Sequence, residues 1–242
     1  MYQCSLSVDS KKRNWITAVE KVLVLQFKGI DGVVATSENI GRIVLSIACE
    51  RDKKPEAKKI ISSVLKEMYL TRVKYEYLKY RLKITQLSEM SSNLLLHSLV
   101  AFDRESEGEI IERELKFGDC ISLEGFFNFR LGELKERWNE IASLATNNAI
   151  HLHQDETLNE LLKFLMSAVT PKIQKLSIEA VDNRFSVKGL YKKNHFEFSF
   201  FSSDQLMIYL INVAPLELTL EGEFSDKKLY NRIVSIFDGK SG

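Results

Sequence analysis

Arg130 stands in Leu123-Glu124-Gly125-Phe126-Phe127-Asn128-Phe129-Arg130-Leu131, an arginine set among phenylalanines at the head of a long amphipathic stretch. On a helix that advances about 100° per residue, with Phe126 at zero, Leu134 falls near 80°, Phe127 near 100° and Trp138 near 120°. Arg130 falls at roughly 40°, inside that apolar arc. A guanidinium placed there needs a partner, because an unpaired buried charge costs several kcal/mol. One reading pairs it internally, with Glu124 or with a carboxylate of the acidic stretch that precedes it. The other offers its planar fork to an anion or to a carboxylate of a partner protein. Glu124, Phe129 and Arg130 are therefore candidate interaction residues.

A second constellation lies upstream. Tyr69, Val73, Tyr77, Tyr80 and Ile84 recur at helical spacing, among Lys66, Arg72, Lys74, Lys79, Arg81 and Lys83. Tyrosines interleaved with cations could stack on unpaired bases while the cations meet phosphates, which marks Tyr69, Tyr77, Tyr80 and Arg81 as a possible single-strand surface. A helix that is apolar on two sides is also what a central helix looks like, contacted from both directions. Asp103, Glu105, Glu107, Glu109, Glu112 and Glu114 would neutralise the basic helix if the two ran antiparallel.

His151 and His153 share one face of an extended segment, with Asp155 and Glu156 close by. A zinc site needs at least one more well-placed ligand, and the other histidines, His97 and His195, are remote, so no metal is expected. There is no Gly-x-Ser-x-Gly elbow, and no cysteine has a histidine near it in sequence. The glycines of Lys28-Gly29-Ile30-Asp31-Gly32 lack the spacing and lysine of a phosphate loop. The expectation is a protein that is not an enzyme and holds no cofactor.

The elements that must position these residues are set by periodicity. Tyr2, Cys4, Leu6 and Val8 alternate as a half-buried strand does. Trp15, Val19, Val22 and Gln26 have helical spacing, thickened by Ile16, Leu23 and Phe27. Strands are predicted at 33–35 and 42–49, so the chain opens β-α-β-β. Pro55 suits a first helical turn and starts a helix to about Ile84 along Ala57, Ile60, Ile61, Val64, Met68, Tyr75, Leu78 and Leu82. Further helices are predicted from Ser88 to about Glu114, with Gly108 as an interruption, from the cap Ser122 to about Ile150, and from Asp155 to the approach of Pro171. Alternation returns in Leu176-Ile178-Ala180, Phe185-Val187 and Phe196-Phe198-Phe200, with a turn at Asp182-Asn183. A short helix over 204–213, a strand through Leu216, Leu218 and Leu220, and a helix through Leu229, Ile233 and Ile236 complete the chain. The expected fold is α+β: a β-α-β-β region (1–51), a helical region (52–171) and a β-rich α+β region of antiparallel strands with two short helices (172–242). Whether the two β-rich ends share a sheet is open.

Composition bounds the rest. The 242 residues are 45% hydrophobic, enough for a sizeable core. Lysine plus arginine (34) nearly balances aspartate plus glutamate (33), so nothing steers the whole molecule toward nucleic acid or anionic membrane. Three widely spaced cysteines, Cys4, Cys49 and Cys120, fit a reducing compartment. Neither a leader pattern nor a membrane span is evident, and the expected location is cytoplasmic.

Three segments resemble the YtxC-like sporulation protein family of endospore-forming bacteria. The first is the run from Leu123 to Leu131. The second is Leu161-Leu162-Lys163-Phe164-Leu165 with Pro171-Lys172-Ile173 beyond it. The third is Leu206-Met207-Ile208-Tyr209-Leu210 through Ala214-Pro215-Leu216 to Ile236-Phe237. They lie in family order over roughly the C-terminal half. His151 and His153 stand where the family pattern calls for acidic or apolar residues. The resemblance implies a sporulation setting but no reaction, cofactor or catalytic residue. The expected function is a non-catalytic cytoplasmic protein acting through protein contacts with an unknown partner; single-stranded nucleic-acid binding is the alternative.

Overall fold

The computed structural model describes residues 1–82, 87–148, 152, 154–181, 184–191 and 194–237. Strand β1 (Tyr2–Asp9) buries Cys4, Leu6 and Val8, the face that alternation assigns to the core. Helix α1 (Arg13–Lys28) buries Trp15, Ile16, Val19, Leu23 and Phe27. After it the chain passes close beneath Phe27 at Gly32, where a Cβ would lie 2.5 Å from the ring. Strands β2 (Val33–Asn39) and β3 (Arg42–Cys49) form a hairpin whose two turn residues, Ile40 and Gly41, have φ of 44° and 74°.

Helix α2 (Lys54–Met68) starts with Pro55 in its first turn and runs through a wide π-helical turn (Tyr69–Val73) into α3 (Lys74–Arg81). Directly after the wide turn Tyr75, expected on the buried stripe, is only half-buried and Lys74 is buried beside Val73, while Leu78 keeps its buried place. Lys83 and Ile84 lie outside the described residues.

Helix α4 (Glu89–Ala101) is capped by Ser88, whose hydroxyl accepts from the Ser91 N–H at 3.1 Å. The helix expected to reach Glu114 breaks at Asp103, with φ of 55°, and restarts as α5 (Arg104–Glu114). Gly108 does not interrupt α5. Its missing side chain lets the helix approach α2, since a Cβ there would lie 3.1 Å from Lys66 Cδ. The three-residue strand β4 (Cys120–Ser122) gives no sequence signal and pairs parallel to β1.

Ser122 caps α6 (Leu123–Phe129), accepting from the Gly125 N–H. The single helix expected from Ser122 to Ile150 is instead α6 and α7 (Gly132–Asn147), separated at Arg130 and Leu131. Helix α8 (Asp155–Ser167) begins where expected. Strands β5 (Lys175–Val181), β6 (Arg184–Tyr191) and β7 (Asn194–Phe200) form an antiparallel meander. The turn expected at Asp182 and Asn183 lies outside the described residues. Helix α9 (Ser203–Val213) ends at Ala214 in the left-handed region, before Pro215. Strand β8 (Glu217–Gly222) then pairs parallel to β5, and α10 (Lys227–Phe237) comes last.

The fold is α+β, with two separate four-stranded sheets ordered β2-β3-β1-β4 and β7-β6-β5-β8. The chain divides into two compact units, residues 1–77 with 105–140 and residues 78–104 with 141–242. This division cuts across the three consecutive regions drawn from the sequence, because each sheet draws helices from the middle of the chain to cover its apolar face. In the second unit α8, α9 and α10 bury Leu162, Leu210 and Ile233 with Ile178, Val187 and Leu218 of the sheet.

Candidate functional site

Of the residues singled out around Arg130 and along the tyrosine helix, Tyr69, Tyr77, Glu124, Phe129 and Arg130 fall in the first unit, and Tyr80 and Arg81 in the second. Phe127 lies at the middle of an aromatic cluster, with ring centroids 6.2 Å from Trp15, 6.4 Å from Tyr69, 5.9 Å from Tyr77 and 6.0 Å from Trp138. Tyr69 is fully buried and donates to the Leu123 carbonyl at 2.8 Å. Burial, reinforced by the Glu124 carboxylate, pushes its hydroxyl far above the ordinary range, so it remains a donor. Tyr77 is half-buried and donates to Asn139 at 2.9 Å.

Arg130 is not in the apolar arc. Because α6 ends there, the helical phase that placed it among Phe126, Leu134 and Trp138 does not extend through it, and its side chain is exposed. Phe129 is exposed as well. Glu124 is engaged elsewhere: it accepts from the Asp9 N–H and meets the Arg42 guanidinium at 3.3 Å. Tyr80 and Arg81 are exposed, at the end of α3. Tyr69 therefore offers no face to an unpaired base, and Tyr77 is half-buried against Phe127 and Trp138.

The acidic and basic stretches meet through Lys66 and Lys74, while Arg72 pairs with Glu76 of its own helix. Lys66 pairs with Glu112 and Lys74 with Glu107, the antiparallel order expected. Lys74 and Glu107 are both 0% exposed. The ammonium lies 2.7 Å from Oε1 and 2.8 Å from Oε2, and Trp138 Nε1 donates to Oε1 at 2.9 Å. A carboxylate held this way is braced from two sides, which suits a structural centre. His151 and His153 lie outside the described residues, and among the described residues no group of three or more potential ligands could hold a metal.

An almost wholly apolar concavity belongs to the second unit. A groove of about 490 Å³ runs between the end of α4, the last turns of α7 and one side of α8. Leu99, Phe102, Ile141, Leu144, Leu161 and Phe164 form its walls, and its polar lining is limited to Asn148, Thr157 and Glu160. Its origin is an apolar arc on α8 wider than the core requires. Leu158, Leu162, Leu165 and Met166 are buried on one side. At about 100° per residue, Leu161 and Phe164 extend that arc by roughly a further 100° into solvent. Leu144 and Phe164 remain 64% exposed. A surplus of apolar positions in 141–145 and 161–165 is the signal that could have revealed it; a scan for charged or nucleophilic residues passes over it.

The groove is within the size range of sites that enclose a ligand or one face of a helix. No protein-family model, curated protein or solved structure matches the chain. Among the described residues no helix is long and apolar enough to cross a membrane.

Proposed function

We propose that the protein acts without catalysis, by holding an amphipathic helix of another protein in the groove between α4, α7 and α8. The observation that carries this is the exposure of Leu144 on α7 and Phe164 on α8 in a lining that is almost wholly apolar. Large apolar side chains left in water beside a concave apolar surface gain by being covered, and a helix with anchors three and four residues apart has the shape to cover them. Glu160 at the margin favours a partner helix with a basic edge. The proposed setting, the cytoplasm of sporulating cells, rests on the resemblance of the segments at Leu123, Leu161 and Leu206.

The test is site-specific cross-linking. A photoreactive phenylalanine analogue at Leu144, expressed during sporulation, should yield one protein adduct that survives nuclease treatment. Phe164→Asp should abolish the adduct while leaving the circular dichroism spectrum unchanged. An adduct removed by nuclease, or one indifferent to Phe164→Asp, would overturn the reading.

A further inference from the structure

Two edges bound the sheet of the second unit, and they differ in chemistry. Strand β8 is guarded by charge: Glu217 and Glu221 flank Leu218-Thr219-Leu220, so a second β8 laid antiparallel about Thr219 would set glutamate against glutamate. Strand β7 carries a single charge, Glu197. It reads Asn194-His195-Phe196-Glu197-Phe198-Ser199-Phe200, with neither lysine nor proline, the usual devices that blunt an edge. Beyond β6, which it pairs, no described strand adjoins it.

Its apolar row is covered only in part, by Tyr209 of α9, whose ring lies 5.1 Å from Phe198 and 5.3 Å from Phe200. Phe196 and Phe200 are half-buried, Phe198 is 36% exposed, and Phe201 beyond the strand is exposed. The rings already form a ladder, with Phe196 and Phe198 stacked at 5.6 Å and Phe198 edge-on to Phe200 at 5.3 Å.

The sequence of β7 is nearly symmetric about Phe198, and this points to its occupant. We propose that β7 pairs antiparallel with β7 of a second copy of this chain, about a two-fold axis at Phe198. That register sets Phe198 opposite Phe198, Phe196 opposite Phe200, and Glu197 opposite Ser199, so every aromatic meets an aromatic on one face and no like charges meet on the other. Moving the axis to Glu197 would oppose two glutamates, which destabilises a sheet. Moving it to Ser199 would set Glu197 against Phe201. A two-fold interface must be self-complementary, and of these registers only the one about Phe198 satisfies that on both faces. The four-stranded sheets of the two copies would join into one of eight strands, independently of what occupies the groove.

Sedimentation equilibrium of the full chain over a range of concentrations tests this. The wild type should show a reversible monomer–dimer equilibrium. Ser199 is exposed and points away from the aromatic row, so substitutions there spare the core. Ser199→Lys would face Glu197 of the other copy twice per dimer and should tighten the dimer by about 2- to 30-fold. Ser199→Glu should loosen it by a similar factor, and Phe198→Lys, with its circular dichroism retained, should leave only monomer. A chain that stays monomeric throughout, or a dimer whose dissociation constant ignores the sign of the charge at 199, would overturn the proposal.

Discussion

Replacing Lys74 with methionine keeps most of the side chain's volume and removes its charge, which isolates the electrostatic part of the buried centre. Glu107, 0% exposed, then loses an ammonium that sits 2.7 Å from one carboxylate oxygen and 2.8 Å from the other. Breaking one partner out of a buried pair typically costs ~3–5 kcal/mol, because the remaining charge keeps its desolvation penalty and loses the attraction that offset it. Against a total stability of ~5–15 kcal/mol that is a large fraction. With a urea dependence of ~2 kcal/mol per molar, the unfolding midpoint should fall by ~1.5–2.5 M. The assay is direct, since both tryptophans, Trp15 and Trp138, belong to the first unit and Trp138 donates to Glu107 itself. Adding Glu107→Gln to Lys74→Met removes the stranded charge yet retains Oε1 as the acceptor for Trp138. The double variant should recover most of the loss, giving a coupling energy of at least ~2 kcal/mol in the cycle. A Lys74→Met midpoint close to wild type, or losses that simply add in the double variant, would refute the reasoning.

Two further outcomes rest on single residues. Ile40 is 95% exposed at φ 44°, a conformation that clashes with a β-branched side chain. Ile40→Asn should therefore raise the stability of the first unit by ~1 kcal/mol, because Asn-Gly is the preferred pair for such a hairpin turn, and an unchanged or lower urea midpoint would contradict this. His97, in the second unit, is held below its ordinary range by burial, with Asn212 3.3 Å from Nδ1. The unfolded chain takes up the proton first, so this contribution is fully present above about pH 6.5 and is lost as pH falls toward the folded value. Thermal melts monitored by circular dichroism should show wild type losing stability between pH 7.5 and 5.5 relative to His97→Gln; parallel curves would exclude His97 as the cause.

What sequence alone determines here is local and periodic. The alternation of β1 and β3, the buried Trp15, Ile16, Val19, Leu23 and Phe27 of α1, the start of α8 and the cap Ser122 are legible because each depends on neighbours within one or two turns, whereas Val22 and Gln26, read on the same stripe of α1, face solvent. The charge match between Lys66, Lys74 and the acidic helix is also legible, since antiparallel helices bring opposite runs together. Arg130 marks the limit. Extending one helix through it puts the guanidinium among aromatics, but the chain breaks there and frees Arg130 and Phe129 to solvent while Phe126 and Phe127 turn inward. Tyr75 and Lys74 exchange roles for a similar reason, directly after the wide turn at Tyr69–Val73, while Leu78 keeps the buried place that periodicity assigns it. Strand β4 has only three residues, and it exists because β1 offers a free edge for it to pair with. The groove is likewise a tertiary product. Leu144 and Phe164 are ordinary apolar positions along their own helices, and only the packing of α4, α7 and α8 around one another decides which apolar side chains are enclosed and which are left facing water.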